Sequence, residues 1–299
     1  MKLKPCLRNS VKRGLLLSLA VFVSLFSGCT SSTAPTYLTK DIPQAVMDIC
    51  REEYNILLVA KLVGSTLWIY HPVKDIFIPA DKPEKYIEKF AIDEHTGEFD
   101  LGLLTFNYKI KVLPDEEKFQ SFQYNKKVRE EMNNVWKVLR RVVFSLDRTK
   151  KDEPKFYSVV TADIKNGLEI RELFYYLDLK KVSYEFISWG EFSHRTINDT
   201  AVAPEATADW AGTHVTYKDF TFEEFIVSQI NDRIKQKFQK PEVGQDVDID
   251  KEITKIIMHV VNIYDFKDFQ QIELNNLLTG NRIILNEAAV QAALKGQRF

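Results

Sequence analysis

Ser193, His194, Asp199 and His214 are the residues of this chain whose types suit hydrolytic chemistry. A serine, an imidazole and a carboxylate form a catalytic group when folding brings them together, the imidazole taking the serine proton and the carboxylate orienting the ring. The spacing lends little to that reading. No Gly-x-Ser-x-Gly elbow is present, and Ser193 and His194, adjacent on a helix, point to different sides. Ser188 with Glu191 reads as a capping box opening the helix that carries His194. Trp189 and Trp210 bracket residues 196–212, whose Asn, Asp, Thr, Ala and Pro content reads as a long loop. Connections beyond about 12–15 residues usually bind something, cover a site or are disordered. Trp189, His194, Trp210 and His214 are therefore the candidate binding surface, the indoles either anchoring a partner or ligand or packing the loop onto a sheet. No residue is assigned a catalytic role.

Elsewhere the chemistry is thinner. Asp93-Glu94-His95-Thr96-Gly97-Glu98-Phe99-Asp100 gathers oxygen and imidazole donors, but without the Asp-x-Asp-x-Asp-Gly order of a calcium loop or paired histidines for zinc. It reads as a solvated turn, and no metal or cofactor is assigned. Lys61, Asp163 and Asn262 occupy corresponding places near three strand ends, as residues of a shared polar pocket or as ordinary solvent-facing groups. His71 and His259 sit in or beside apolar runs and read as packed histidines. There is no phosphate loop, CxxC, His-Glu-x-x-His or dinucleotide fingerprint.

The N-terminus is more specific. Lys2, Lys4, Arg8, Lys12 and Arg13 precede an apolar run over residues 15–26, too short for a permanent membrane helix, and Leu25-Phe26-Ser27-Gly28-Cys29 closes it. The segment resembles the type II signal peptide and lipobox of a bacterial lipoprotein precursor, with Phe26 where leucine is commonest. That resemblance implies removal of residues 1–28 and lipidation of Cys29. Thr30 after the cysteine implies an outer-membrane anchor facing the periplasm if the host has two membranes. Each buried lipid methylene contributes about 0.8 kcal/mol, so such an anchor is effectively permanent. Residues 29–38 form a lipidated tether with a reach of about 15–20 Å.

Five of the 41 Lys+Arg and none of the 42 Asp+Glu lie in residues 1–28, so the remainder is mildly acidic, a poor match to nucleic acid. The lipid is the expected membrane contact, with an envelope protein as the candidate partner. Of three cysteines, Cys6 leaves with the signal and Cys29 is lipidated; Cys50 stays unpaired at a helical core position. The 20 Phe and 12 Tyr favour strand-rich packing.

Along the body a helix opens near Asp41 and Pro43, followed by a strand, a Gly64-Ser65 turn and a partner strand; a second hairpin over residues 86–112 reverses near His95-Thr96-Gly97. The order recurs with a helix around Val135, Val142 and Leu146, a strand over 156–164, an Asn166-Gly167 turn and a strand over 168–176. A shift of about 102 positions lays Leu58-Val59-Ala60-Lys61-Leu62 on Val160-Thr161-Ala162-Asp163-Ile164. A third copy opens with the helix 222–238, capped by Thr221 and Glu224, and continues through 253–264 and a turn at 265–267. Ile272-Leu274 and Arg282-Leu285 supply further strands, and Asn286 caps a closing helix through Ala293. The pattern predicts an α+β fold, helices on mostly antiparallel sheets, in two or three helix-hairpin units: 39–125, 126–220 with the long loop, and 221–299. The expected function is a non-catalytic binding or assembly module anchored in the cell envelope. The alternatives are an anchored periplasmic hydrolase or a small-ligand-binding protein using residues 188–220.

Overall fold

In the computed structural model, which describes residues 37–146, 153–240, 242–286 and 288–290, the first helix α1 (Ile42–Tyr54) carries Pro43 in its first turn and ends at Asn55 in the left-handed region. The signal segment, Cys29 and the tether through residue 36 lie outside the described residues. Ile42, Val46, Ile49 and Cys50 form the buried stripe of α1, and burial, with Glu53 nearby, pushes the Cys50 thiol up to about 12. Asp41 precedes α1 without making a side-chain cap bond. Strands β1 (Val59–Val63) and β2 (Thr66–Val73) reverse at Gly64, whose φ of +56° suits glycine. The ribbon β3 (Phe77–Asp100) and β4 (Leu103–Tyr124) follows, then α2 (Lys126–Phe144), β5 (Phe156–Asp163) and β6 (Leu168–Tyr175). Two short helices, α3 (Tyr176–Ser183) and α4 (Trp189–Arg195), lead to β7 (Ile197–Val202). Helices α5 (Phe222–Gln239) and α6 (Ile249–Ile263) and strands β8 (Gln271–Asn276) and β9 (Arg282–Asn286) complete the described chain.

The fold is α+β. One sheet has the order β1-β2-β5-β6-β7 and the other β3-β4-β8-β9, with every neighbour antiparallel except the parallel pairs β2–β5 and β4–β8. Helices α1 and α2 cover one face of the first sheet, packing Val46, Val135, Leu139 and Val142 on Leu67, Ile69, Tyr157 and Phe174. On its opposite face, Phe156 and Leu173 join the larger core in which Phe225, Ile230 and Ile257 of α5 and α6 meet Phe106 and Leu274 of the second sheet. Strand alternation puts successive side chains on opposite faces, and that division decides which polar residues meet.

Helix-then-hairpin order is present as α1-β1-β2 and α2-β5-β6; the third copy expected to open with the helix 222–238 has two successive helices, α5 and α6, before its hairpin β8-β9. Because β2 is parallel to β5, the first strands β1 and β5 run in opposite directions, so the second hairpin is not a translated copy of the first. The β3–β4 ribbon leaves the first sheet altogether and pairs with β8, joining residues of the first and third sequence units in one sheet.

Several elements differ from the sequence expectation. The ribbon reverses at Leu101-Gly102, both at positive φ (+47° and +84°) as a type I′ hairpin loop requires, and not at His95-Gly97. Gly97 is paired inside β3, where a Cβ would stand 2.6 Å from the Phe106 ring and 2.9 Å from Val227; close packing, not a turn, requires the glycine. The neighbouring carboxylates are accordingly spread along an extended strand, with Asp93 paired to Lys111 at 2.5 Å. Residues 253–263 belong to α6, with Tyr264 as its C-cap, and the buried Ile253, Ile257, Val260 and Val261 follow a helical period behind the Asp248 cap. Six residues of the expected 196–212 loop form the edge strand β7, which has a neighbour on one side only and so lacks an apolar alternation.

Lys61, Asp163 and Asn262 do not share a pocket. Lys61 lies over the Tyr217 ring at 3.9 Å, Asn262 is exposed on α6, and Asp163 is buried as a turn brace. Its Oδ2 accepts from Ile76 N (2.8 Å) and its Oδ1 from Lys165 N and Asn166 N (3.1 Å each). His71 is buried in β2 and held neutral, its pKa lowered to about 4 by burial. Asn286 Oδ1 accepts from Ala289 N at 2.8 Å as a cap; the expected helix beyond residue 290 lies outside the described residues.

Candidate functional site

Helix α2 turns one stripe, Val135, Val138, Leu139 and Val142, onto the sheet. Its adjacent stripe, Asn133, Trp136, Lys137 and Arg140, faces a cleft of about 730 Å³. The far wall is α4, started by Ser188, whose Oγ accepts from Glu191 N at 3.0 Å as the capping pattern predicts. Glu191 turns its carboxylate to Arg195 at 2.8 Å instead of closing the box. Trp189, Phe192, Ser193 and His194 of α4 line that wall, and Glu172 of β6 with Asn198 of β7, its register partner, forms the base.

The aromatic wall is continuous. Trp136 meets Phe192 edge-to-face at 5.7 Å between centroids, and Phe192 meets Trp189 in the same way at 5.8 Å. The Arg140 guanidinium lies over the Trp189 ring at 5.1 Å. Trp136 donates its indole N–H to Glu172 Oε2 at 3.2 Å. Burial raises the Glu172 carboxyl from its ordinary 4.5 to about 7, with that hydrogen bond opposing the shift. Burial, together with the Lys240 and Arg233 charges, lowers the His194 pKa below 6.5 and favours a neutral ring; its Nε2 is 3.5 Å from Lys240 Nζ.

A group whose folded pKa lies above its unfolded value favours the fold below the unfolded pKa and loses that advantage as pH rises through the folded one. For Glu172 the window is about pH 4.5 to 7. Glu172→Gln is therefore expected to leave stability almost unchanged at pH 4.5 and to raise it at pH 8 by on the order of 1–2 kcal/mol, allowing for solvent screening in the cleft. Urea melts at the two pH values measure this; equal effects at both would show that Glu172 is not held protonated.

The four residues of the sequence-derived surface separate. Trp189 and His194 line the cleft. Trp210 is exposed, with Lys74 Nζ 5.5 Å above its ring. His214 lies against the other face of the sheet, its ring nitrogens taken by Asp209 Oδ2 (2.6 Å) and Glu169 Oε1 (2.5 Å) beside Tyr70. Glu169 and Glu172 are three apart on β6, so alternation sends them to opposite faces and the sheet stands between His214 and the cleft. Asp199 pairs with Lys235 at 3.0 Å, and Ser193 Oγ has no hydrogen-bond partner among the described residues. The hydrolytic group is thus not assembled. Among the described residues no cluster of three or more His, Cys, Asp or Glu is arranged to hold a metal.

No protein family, curated protein or solved structure matches this chain. The cleft stands on its own geometry.

Glu172, Trp136 and Arg140 were not singled out from sequence. The available signal was a carboxylate within the apolar strand 168–175, and Trp136 and Arg140 one helical turn apart beside the buried stripe of an amphipathic helix.

Proposed function

We propose that this protein is a lipid-anchored, non-catalytic binding module of the cell envelope that captures a small ligand in the α2–α4–β7 cleft. The observation that carries the reading is the cleft itself: about 730 Å³, walled by Trp136, Phe192 and Trp189, with Arg140 and Lys137 beside it. Ligand sites of this size combine an aromatic wall with a few polar groups that set orientation. Among the described residues Ser193 and His194, though both line the cleft, make no hydrogen bond to each other, and His194 Nε2 faces Lys240 Nζ at 3.5 Å, which favours binding over serine-based hydrolysis. The anchor rests on the lipobox resemblance at Leu25-Cys29, which has the body held a short tether from the membrane.

Two measurements test the two halves. Cys29→Ala is expected to move the protein from the membrane to the soluble fraction, since one cysteine carries the whole anchor; an unchanged membrane fraction sinks the anchoring claim. For the cleft, thermal-shift titration of the detergent-solubilised full-length protein with a small-molecule panel is expected to give stabilising ligands whose effect is lost in Trp189→Ala. No stabilising ligand, or ligands indifferent to Trp189, would end the cleft reading.

A further inference from the structure

Arg140 is an unusual group in the cleft. Its guanidinium lies over the Trp189 ring, its Nε is buried without a hydrogen-bond partner, and among the described residues no carboxylate pairs with it. A partly enclosed arginine normally meets a carboxylate or phosphate, because its forked donors match those anions and lose water on burial. Attraction to the face of an indole positions a guanidinium without using its N–H donors. Lys137, three residues earlier on α2, adds positive charge on the same wall, its Nζ held by Asn134 Oδ1 at 2.9 Å. Of the two carboxyl groups lining the cleft, Glu172 already accepts from Trp136 and Glu130 is exposed at the mouth.

The rest of the lining narrows the anion. Asn133, Ser193 and Asn198 are exposed around the rim and offer amide and hydroxyl groups above an aromatic wall. A sugar ring has the matching anatomy, with C–H faces for the indoles and hydroxyls around its edge for the rim. A flat hydrocarbon acid would use the wall and Arg140 and leave the rim groups to water.

We propose that the cleft binds an acidic saccharide, its carboxylate on the Arg140 guanidinium and its ring against the Trp136–Phe192–Trp189 wall. This rests on the reading of the cleft as the binding site and adds the ligand class.

Tetragalacturonate and its fully methyl-esterified form differ in charge and share the same rings, which makes them the decisive pair of probes. Isothermal titration of the detergent-solubilised full-length protein is expected to show the acid binding with a Kd on the order of 1 mM or below and the ester about tenfold weaker or more. Arg140→Gln is expected to bring the acid down to the level of the ester, and Trp189→Ala to weaken both. Thermal melts of each variant keep loss of folding apart from loss of the anion contact. Equal binding of acid and ester overturns the anion assignment. Inorganic phosphate or citrate competing as well as unlabelled tetragalacturonate overturns the saccharide assignment. If neither saccharide binds while another panel ligand stabilises the protein through Trp189, the ligand class fails and the cleft reading survives; if nothing engages the cleft, both fail.

Discussion

His214→Ala is expected to destabilise the full-length protein by about 3–5 kcal/mol, the loss typical of removing one partner from a buried ion pair. The imidazole lies between two carboxylates, Asp209 and Glu169, whose side chains are 9% and 0% exposed. Arg171 also reaches Glu169, at 2.6 Å, and Asp209 accepts from the backbone N–H of Ala211 and His214 (3.0 Å each), so some compensation persists in the variant. What is lost is the positive charge between the two acids and the link from residues 209–214 to β6. That segment is otherwise fixed by Tyr70, whose hydroxyl donates to Asp209 O at 2.6 Å, and by Tyr217, which donates to Gly212 O at 2.9 Å. Urea denaturation measures the loss, and limited proteolysis is expected to cut the variant within residues 204–216 first. A loss below about 1 kcal/mol would mean that the clamp is an ordinary surface pair.

The same clamp has a pH signature. Burial opposes charge on His214, yet the hydrogen bonds to Asp209 and Glu169 outweigh it and raise the imidazole above its ordinary 6.5. Its stabilising contribution is complete below pH 6.5 and falls away as pH rises through the raised value. Asp209 is also desolvated, but its bonds to His214, Ala211 and Thr213 hold it well below the usual carboxylate range, so its contribution is lost only in acid. In His214→Ala the alkaline part of this decline is expected to disappear.

Arg195→Ala is the second large effect, with a loss of about 3 kcal/mol or more. Asp178 of α3 is fully buried and accepts from Arg195 at 2.9 Å and from the Tyr264 hydroxyl at the end of α6 at 2.8 Å. Arg195 also holds Glu191 at 2.8 Å, so one guanidinium ties α3 and α6 to the helix that presents Trp189 and Phe192. Without it, Asp178 keeps the tyrosine and a more distant Lys181 at 3.5 Å. Arg195→Lys retains the charge but not the forked geometry, and an intermediate loss is expected. The thermal midpoint should fall by roughly 2–4 °C per kcal/mol. If Arg195→Ala melts like the parent, the buried network contributes nothing to holding α4.

Local chemistry made part of this protein legible in advance. Gly64 and Asn166-Gly167 mark the hairpin turns they promised, with Gly64 and Gly167 at φ of +56° and +66°. Thr221 and Glu224 form a reciprocal capping box, and Ser188 caps α4. Each of these depends on contacts within about four residues, which is the range over which residue order and backbone geometry are directly coupled.

What depended on distant neighbours was not legible. Gly97 resembles a turn glycine until α5 and Phe106 are seen pressed against it. Strand β7 carries no apolar alternation because it sits at an edge, and α6 holds a run apolar enough to pass for a buried strand. The αβ alternation and the α+β class were therefore determined by the sequence alone. The cleft was decided by tertiary structure: only the placement of α2 and α4 on one face of β6 brings Trp136, Arg140 and Trp189 to Glu172, and only strand alternation sends Glu169 and His214 to the other. A three-residue separation on a strand looks like proximity in the sequence, and the pleat converts it into opposite sides of a sheet.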